Sequence, residues 1–311
     1  MNGKWIFGML GGLWGAVVAL GGCKSTHPAV QYPDPDAPGL TPKVFAAGSI
    51  SLPGRFEQNI TMSADGKDYY YGTADAREWR YQTILHTRVL PGGKTVTDTV
   101  HFARNFRFER EKFIGEPFLS PDGRKLFFVA DLPPDIWVSE REKDGTWKAA
   151  ARLDAPVNSY AGEWNPTLSA RGTLYFASTR TDSGKVAPDG KIYRAPLVNG
   201  TYGAAEPLPG RINREDAGDP CIAPDESYLV FSSWREGGYG GTDLYLSRRA
   251  ANGEWSQPVN LGPAINTPFE EVGPRISADG KYLFFHRRDR WQNATASDIY
   301  WVDIAVLRSA P

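Results

Sequence analysis

Seven carboxylates fall in corresponding stretches of the chain: Glu57, Glu116, Glu163, Asp216, Asp219, Glu270 and Glu271. Acidic side chains gathered from separate segments support two kinds of chemistry. A pair held about 5–9 Å apart across a cleft can cleave a glycosidic bond, and Glu163, Asp219 and Glu271 would then serve as acid, base and stabiliser. A ring of carboxylates can instead hold a cation such as calcium, or a cationic partner. Among them lie Arg180, Arg235, Arg287 and Arg288 and the indoles of Trp164, Trp234 and Trp291. Arginines phased in this way suit ion pairs within a repeat, and Arg180, Arg235 and Arg288 each have an aspartate opening the following strand as a candidate partner. Exposed indoles can stack on sugar rings or a peptide, or can cover a sheet edge. No Gly-x-Ser-x-Gly elbow, His-Glu-x-x-His helix or complete Gly-x-x-x-x-Gly-Lys-Ser/Thr phosphate loop occurs. His86, His101 and His286 lack helical metal spacing, and Cys221 sits in an apolar run as a small buried residue would.

Repeated elements must position these groups. A four-residue turn motif recurs as Ser63–Gly66, Ser120–Gly123, Ser169–Gly172, Ala223–Glu226 and Ser277–Gly280, at separations 123−66=57, 172−123=49, 226−172=54 and 280−226=54. Asp-Gly marks a tight turn because Gly accepts positive φ and Asp bonds the turn backbone. Behind each turn runs an apolar strand such as Leu126–Val129 or Leu283–Phe285, and then a strand opening with Asp135, Lys191, Asp243 or Asp298. An aromatic follows (Trp147, Tyr202, Trp255), a Leu six residues later, and an Asn five beyond that: Asn158, Asn213 and Asn266. Pro117, Pro166, Pro220 and Pro274 each precede the next motif by three residues.

Units of forty to fifty residues with four short strands read as propeller blades, which must stack around an axis to bury both sheet faces. The expected fold is therefore an all-β propeller of four-stranded blades, five by the anchors counted, with six as the alternative. The last repeat lacks a fourth strand, and Val44–Leu52 is the candidate to supply it and close the ring. Strand alternation places the Asp-Gly turns on one face of the disc, and the carboxylates, arginines and indoles above on the other. The Ser-Pro-Asp-Gly-Arg-Lys-Leu-Phe-Phe run at 120–128, with Asp135-Ile136-Trp137 following, resembles the WD-like repeat of TolB-type propellers across about residues 44–307. That repeat implies a fold rather than a function, since it serves in scaffolds, peptidase-associated domains and some enzymes.

Composition narrows the rest. With 35 Lys+Arg against 36 Asp+Glu the chain lacks the cationic surplus of a nucleic-acid binder. Its two cysteines, Cys23 and Cys221, form no disulfide framework. Lys4 and the apolar run from Trp5 to Leu20 have the shape of a signal peptide. The run closes in Leu20-Gly21-Gly22-Cys23, which resembles the bacterial lipobox; the resemblance implies removal of residues 1–22 and lipidation of Cys23. Lys24 stands where inner-membrane retention would need Asp, which points to the outer membrane and a periplasmic location. Five prolines between Lys24 and Pro42 read as an extended tether ahead of a propeller at 43–311. The function expected is a non-catalytic envelope lipoprotein that binds a protein or glycan partner on its loop face, and the alternative is a glycan-active enzyme.

Overall fold

All five turn motifs close in the same way. The amide of the fourth residue bonds the carbonyl of the first (Gly123 to Ser120 at 2.8 Å, Gly66 to Ser63 at 3.0 Å), and that fourth residue takes a positive φ, 68° at Gly123 and 61° at Glu226. In three of the turns the serine hydroxyl also bonds the Asp side chain, 2.7 Å from Ser63 to Asp65 and 2.8 Å from Ser277 to Asp279. The following strand thus leaves each turn at a set angle.

The computed structural model describes residues 30, 32–74, 81–102, 112–289 and 296–309. Cys23 and Trp291 lie outside them. After β1 (Lys43–Val44), blade one holds β2 (Phe56–Met62), β3 (Asp68–Ala74), β4 (Tyr81–Val89) and β5 (Thr95–Thr99). Blade two holds β6 (Lys112–Leu119), β7 (Lys125–Ala130), β8 (Asp135–Glu140) and β9 (Ala151–Arg152). Blade three is β10 (Glu163–Leu168), β11 (Leu174–Arg180) and β12 (Val186–Ala195), then a small hairpin of β13 (Leu197–Val198) and β14 (Thr201–Tyr202), and finally β15 (Glu206–Pro207). Blade four is β16 (Ala217–Ile222), β17 (Tyr228–Ser233), β18 (Asp243–Arg248) and β19 (Val259–Asn260). Blade five is β20 (Glu270–Ile276), β21 (Tyr282–Arg288) and β22 (Ser297–Asp303), completed by β1. After β22 comes one helical turn, α1 (Val306–Ser309), whose start is held by the Asp303 carboxylate on the Ala305 amide at 2.8 Å. Among the described residues, no helix is long and apolar enough to cross a membrane.

The first strands form the wall of the axis. β2 packs against β6, β6 against β10, β10 against β16, β16 against β20, and β20 again against β2. Alternation along the second strands explains their continuous apolar runs, since both faces of every blade are covered. In β7, Phe127 and Val129 pack toward blade three, while Leu126 and Phe128 pack toward blade one. Five such interblade cores close the circle, the last joining Phe284, Ile299 and Trp301 to Ile60, Tyr69 and Tyr71. Trp147, Trp255 and Trp301 are buried at their repeat positions. Asn158, Asn213 and Asn266 each bond both backbone groups of one third-strand residue (Ile136, Ile192 and Leu244), pinning the outer loop to the blade.

Two boundaries differ from the sequence reading. The closing strand is Lys43–Val44, opposite Trp301 and Tyr300, extended by the bond from the Phe45 amide to the Ile299 carbonyl at 2.7 Å. Beyond it Ala46 and Gly48 take φ of 47° and 83°, which ends the strand and tucks Phe45 and Ile50 into the core. The outer strands of blades two to four pair over two residues each, not from the aromatic to the Leu, because Trp147 and Trp255 turn inward.

Candidate functional site

The conspicuous carboxylates divide into two sets. Nine residues ahead of the turn's fourth position stand Glu57, Glu163 and Glu271, all fully buried. Glu163 accepts from Arg180 Nη2 at 3.0 Å, Ser159 Oγ at 2.6 Å and Ser178 Oγ at 2.9 Å. Arg180 also bonds the Pro156 and Val157 carbonyls, and its guanidinium lies 5.2 Å from the Phe176 ring and 5.0 Å from the Tyr193 ring. Blade five repeats this clamp: Arg287 reaches Glu271 at 2.7 Å and the Ile265 carbonyl at 3.0 Å, and lies 4.4 Å from the Tyr300 ring. Arg55 holds Glu57 at 2.5 Å. Burial pushes the Glu57 and Glu271 carboxyls above the usual range, against the pull of their arginines. In blade four Ala217 replaces the carboxylate, and Arg235 donates instead to the Ile212 carbonyl at 2.7 Å and to Ser233 Oγ at 3.1 Å, with the Phe231 and Tyr245 rings beside it. The aspartates opening the third strands are not the partners of these arginines. Asp135 pairs with Arg152 at 2.6 Å, Asp243 accepts the Tyr239 and Gly240 amides, and Arg288 pairs with Glu270 at 2.9 Å.

Two residues further along each first strand the ladder is interrupted: between Gln58 and Ile60, Gly115 and Phe118, Trp164 and Thr167, Gly218 and Cys221, and Val272 and Arg275. A bulge of this kind re-aims the residue it carries. Here that residue takes positive φ in every blade: Asn59 (47°), Glu116 (54°), Asn165 (49°), Asp219 (46°) and Gly273 (61°). Each stands seven residues before the turn's fourth position (66−59, 123−116, 172−165, 226−219, 280−273). Four of them line an axial funnel of about 330 Å³, together with Gln58, Gln82, Trp164, Asp216, His286 and Arg288.

One hydrogen-bond network joins this ring. The Asn59 amide donates to Asn165 Oδ1, and Asn165 Nδ2 donates to Asp219. The Asn165 backbone N–H donates to Glu116 at 2.7 Å. Asp219 also accepts from Ser232 Oγ at 2.5 Å and from the Gly273 N–H at 3.2 Å. Gly273 is required: a Cβ there would lie 2.7 Å from the His286 ring and 2.9 Å from Asn59 Nδ2. Gln58 donates to Gln82 at 2.8 Å on the blade-one wall. Below the ring the buried Arg275 bonds the Pro274 carbonyl at 2.9 Å and lies 5.9 Å from the Phe118 ring. Burial, reinforced by Asp219, pushes the Glu116 carboxyl up to about 8. Burial holds His286 well below its ordinary value, so the imidazole is neutral.

The funnel therefore unites Glu116, Asp219 and Trp164 and leaves Glu163, Glu271, Arg180 and Arg235 in the clamps of their own blades. Glu163, Asp219 and Glu271 do not share one site. Arg288 serves both places, paired with Glu270 and lining the funnel. Trp234 stands on the rim, 55% exposed, and Trp164 is half-buried, its ring packed over Gly162. Cys221 is buried and its thiol is raised to about 11. Sequence alone gives Asn59, Asn165, Gln58 and Gln82 no role, and considers His286 only as a metal ligand; the seven-residue offset from each turn is the signal that finds the first two. Among the described residues no group of three or more His, Cys, Asp or Glu is arranged to hold a metal ion.

No family model matches the chain, and no curated protein matches it in sequence. Solved structures do. An alpha-L-arabinofuranosidase from Lactobacillus brevis superposes with a TM-score of 0.54 at 17% identity, over 79% of this chain and 90% of that one. TolB from Acinetobacter baumannii gives 0.46 at 14% identity, over 80% of this chain and 54% of that one. A GH43 protein from Bacillus licheniformis gives 0.49 at 10% identity, over 84% of this chain and 54% of that one. The likeness to the arabinofuranosidase is one of fold, and with the closed ring of five blades it makes this chain a β-propeller.

Proposed function

We propose that the chain is a glycan-binding propeller of the bacterial envelope, held through Cys23 to the outer membrane on its periplasmic side, with the axial funnel as its ligand site. The observation that carries this reading is the convergence of polar side chains from separate blades on one cavity. Funnel amides and carboxylates from four blades converge beside the Trp164 ring. Their outer counterparts are consumed by arginines, hydroxyls and amides. Converging amides and carboxylates with an aromatic wall match the alternating hydroxyls and C–H faces of a sugar. Tyr160, Trp234, Tyr239 and Phe269 are exposed on loops of the same face. The test is a titration of the protein against soluble peptidoglycan fragments and a panel of neutral oligosaccharides. Binding that is lost in Asp219→Asn and Trp164→Ala supports the reading; no binding by any of them, or binding indifferent to both changes, removes it.

A second reading, glycoside cleavage, draws on the raised Glu116 carboxyl. Held protonated near neutral pH beside the Asp219 carboxylate, it has the form of a general acid. Under this reading Glu116→Gln abolishes release of reducing sugar from a bound oligosaccharide while leaving its affinity within a few-fold.

A further inference from the structure

The path by which the N-terminal segment joins the body determines where the funnel points. β22 runs from the funnel face to the turn face, ending with Asp303 opposite Tyr282, just past the Asp279-Gly280 turn. β1 is antiparallel to it, so the chain enters the propeller from the turn face. The residues ahead of β1 are packed there. The Gly39 carbonyl accepts the Asp303 amide at 3.0 Å. The Tyr32 hydroxyl donates to Asp279 at 2.8 Å, and its ring stands edge-on to Tyr282 at 5.1 Å and 5.4 Å from Trp301. Lys43 bonds the Asp36 carbonyl and lies 5.7 Å from the Trp301 ring. Pro38 is buried. The prolines at 33, 35, 38 and 42 lower the entropy lost on docking, because the free segment samples fewer conformations.

We propose that Tyr32–Pro42 is a docked strap that sets the pose of the body on its membrane: turn face toward the bilayer, funnel away from it. The ligand is then drawn from the compartment beyond the anchoring leaflet and not from that leaflet's headgroups. This rests on the reading of Cys23 as the anchor and the funnel as the ligand site. Cys23 to Tyr32 is nine Cα steps, which span roughly 30 Å at most. The thickness of the disc, about 3.3 Å per residue along the seven residues of β22, then lies between the strap and the funnel mouth. The strap also assigns the exposed Trp234, Tyr239 and Phe269 to a ligand rather than to the bilayer interface, which the opposite pose would allow.

The test is energy transfer to a rhodamine-labelled lipid from a donor dye placed at Lys143 on the turn face or at Asp182 on the funnel face, by replacing either with an azide-bearing phenylalanine. The full chain is expressed with its own leader and reconstituted in phosphatidylethanolamine–phosphatidylglycerol vesicles. Transfer from position 143 is expected to exceed that from 182 by at least about twofold, given the strand-length separation of the faces. A Tyr32→Ala/Asp279→Ala variant is expected to narrow that contrast. Equal transfer from both positions, greater transfer from 182, or a contrast unchanged in the variant overturns the proposal. If the purified chain carries no lipid, the anchor reading fails separately. The pose is then measured after coupling the Cys23 thiol to a maleimide lipid, a reaction the buried Cys221 does not compete for.

Discussion

Glu163 and Asn165 lie two residues apart on one strand, as do Glu57 and Asn59, and Glu271 and Gly273, yet the two positions do opposite things. The first is fully buried and bonded within its own blade, Glu163 and Glu271 by an arginine and a hydroxyl, Glu57 by Arg55 and the Leu52 N–H. The second is thrown toward the axis by a bulge and bonds across blades. Simple alternation would put both on the same side of the strand; the positive φ at the second separates them. Acidity is therefore a poor guide to function in this chain, and local backbone geometry is a better one. A buried carboxylate bonded within its own blade maintains that blade. One at the bulge, such as Glu116 or Asp219, faces a cavity.

Breaking the clamps should give the largest effect. Glu163→Ala or Glu271→Ala leaves a mostly buried guanidinium without its counter-charge, and a loss of about 3–5 kcal/mol is expected in urea unfolding. Changes below 1 kcal/mol would mean that the backbone carbonyls alone satisfy the arginine.

The tryptophans sharpen the same contrast. Trp255 is 4% exposed and Trp234 55%, so Trp255→Ala is expected to cost about 3–5 kcal/mol and Trp234→Ala within about 0.5 kcal/mol. Equal shifts in melting temperature would place Trp234 among the packing residues and withdraw it from the rim.

Glu116 gives a smaller effect of defined sign. Its folded-state carboxyl is raised from 4.5 to about 8, so between those values the folded chain keeps a proton that the unfolded chain has released. Stability must fall as pH rises through that window, by of order 2 kcal/mol once water at the funnel mouth is allowed for. Glu116→Gln should flatten this part of the pH–stability curve and melt higher than the parent at pH 8, with little difference at pH 4. A variant as pH-sensitive as the parent would assign the slope to other groups.

Much of this architecture was legible because its signals are local. Asp-Gly turns, the apolar runs behind them and the Asn158, Asn213 and Asn266 pins act within one repeat, so spacing exposes them. The closing strand was legible from a missing fourth strand, though not its end, since the positive φ at Ala46 leaves no mark in a residue type that is at home in strands and helices alike. The site was legible only in part. Asp219 and Glu116 drew notice as charges and Trp164 as an indole. Asn59 and Asn165 did not, because an asparagine in a strand becomes informative only when another blade supplies its partner. Nor could sequence divide Glu163 from Asp219: the partner Arg180 is seventeen residues away and reaches its place only when β11 folds back on β10.

The most direct test is calorimetric titration of the tightest-binding oligosaccharide or peptidoglycan fragment into Asp219→Asn and Glu271→Gln side by side, below the melting temperature of both. The account predicts that Asp219→Asn weakens binding at least about tenfold, some 1.4 kcal/mol, without lowering the melting temperature much. Glu271→Gln should melt several degrees lower and bind as the parent does. Affinity lost in Glu271→Gln and retained in Asp219→Asn would contradict it, and would place the ligand on the clamps rather than in the funnel.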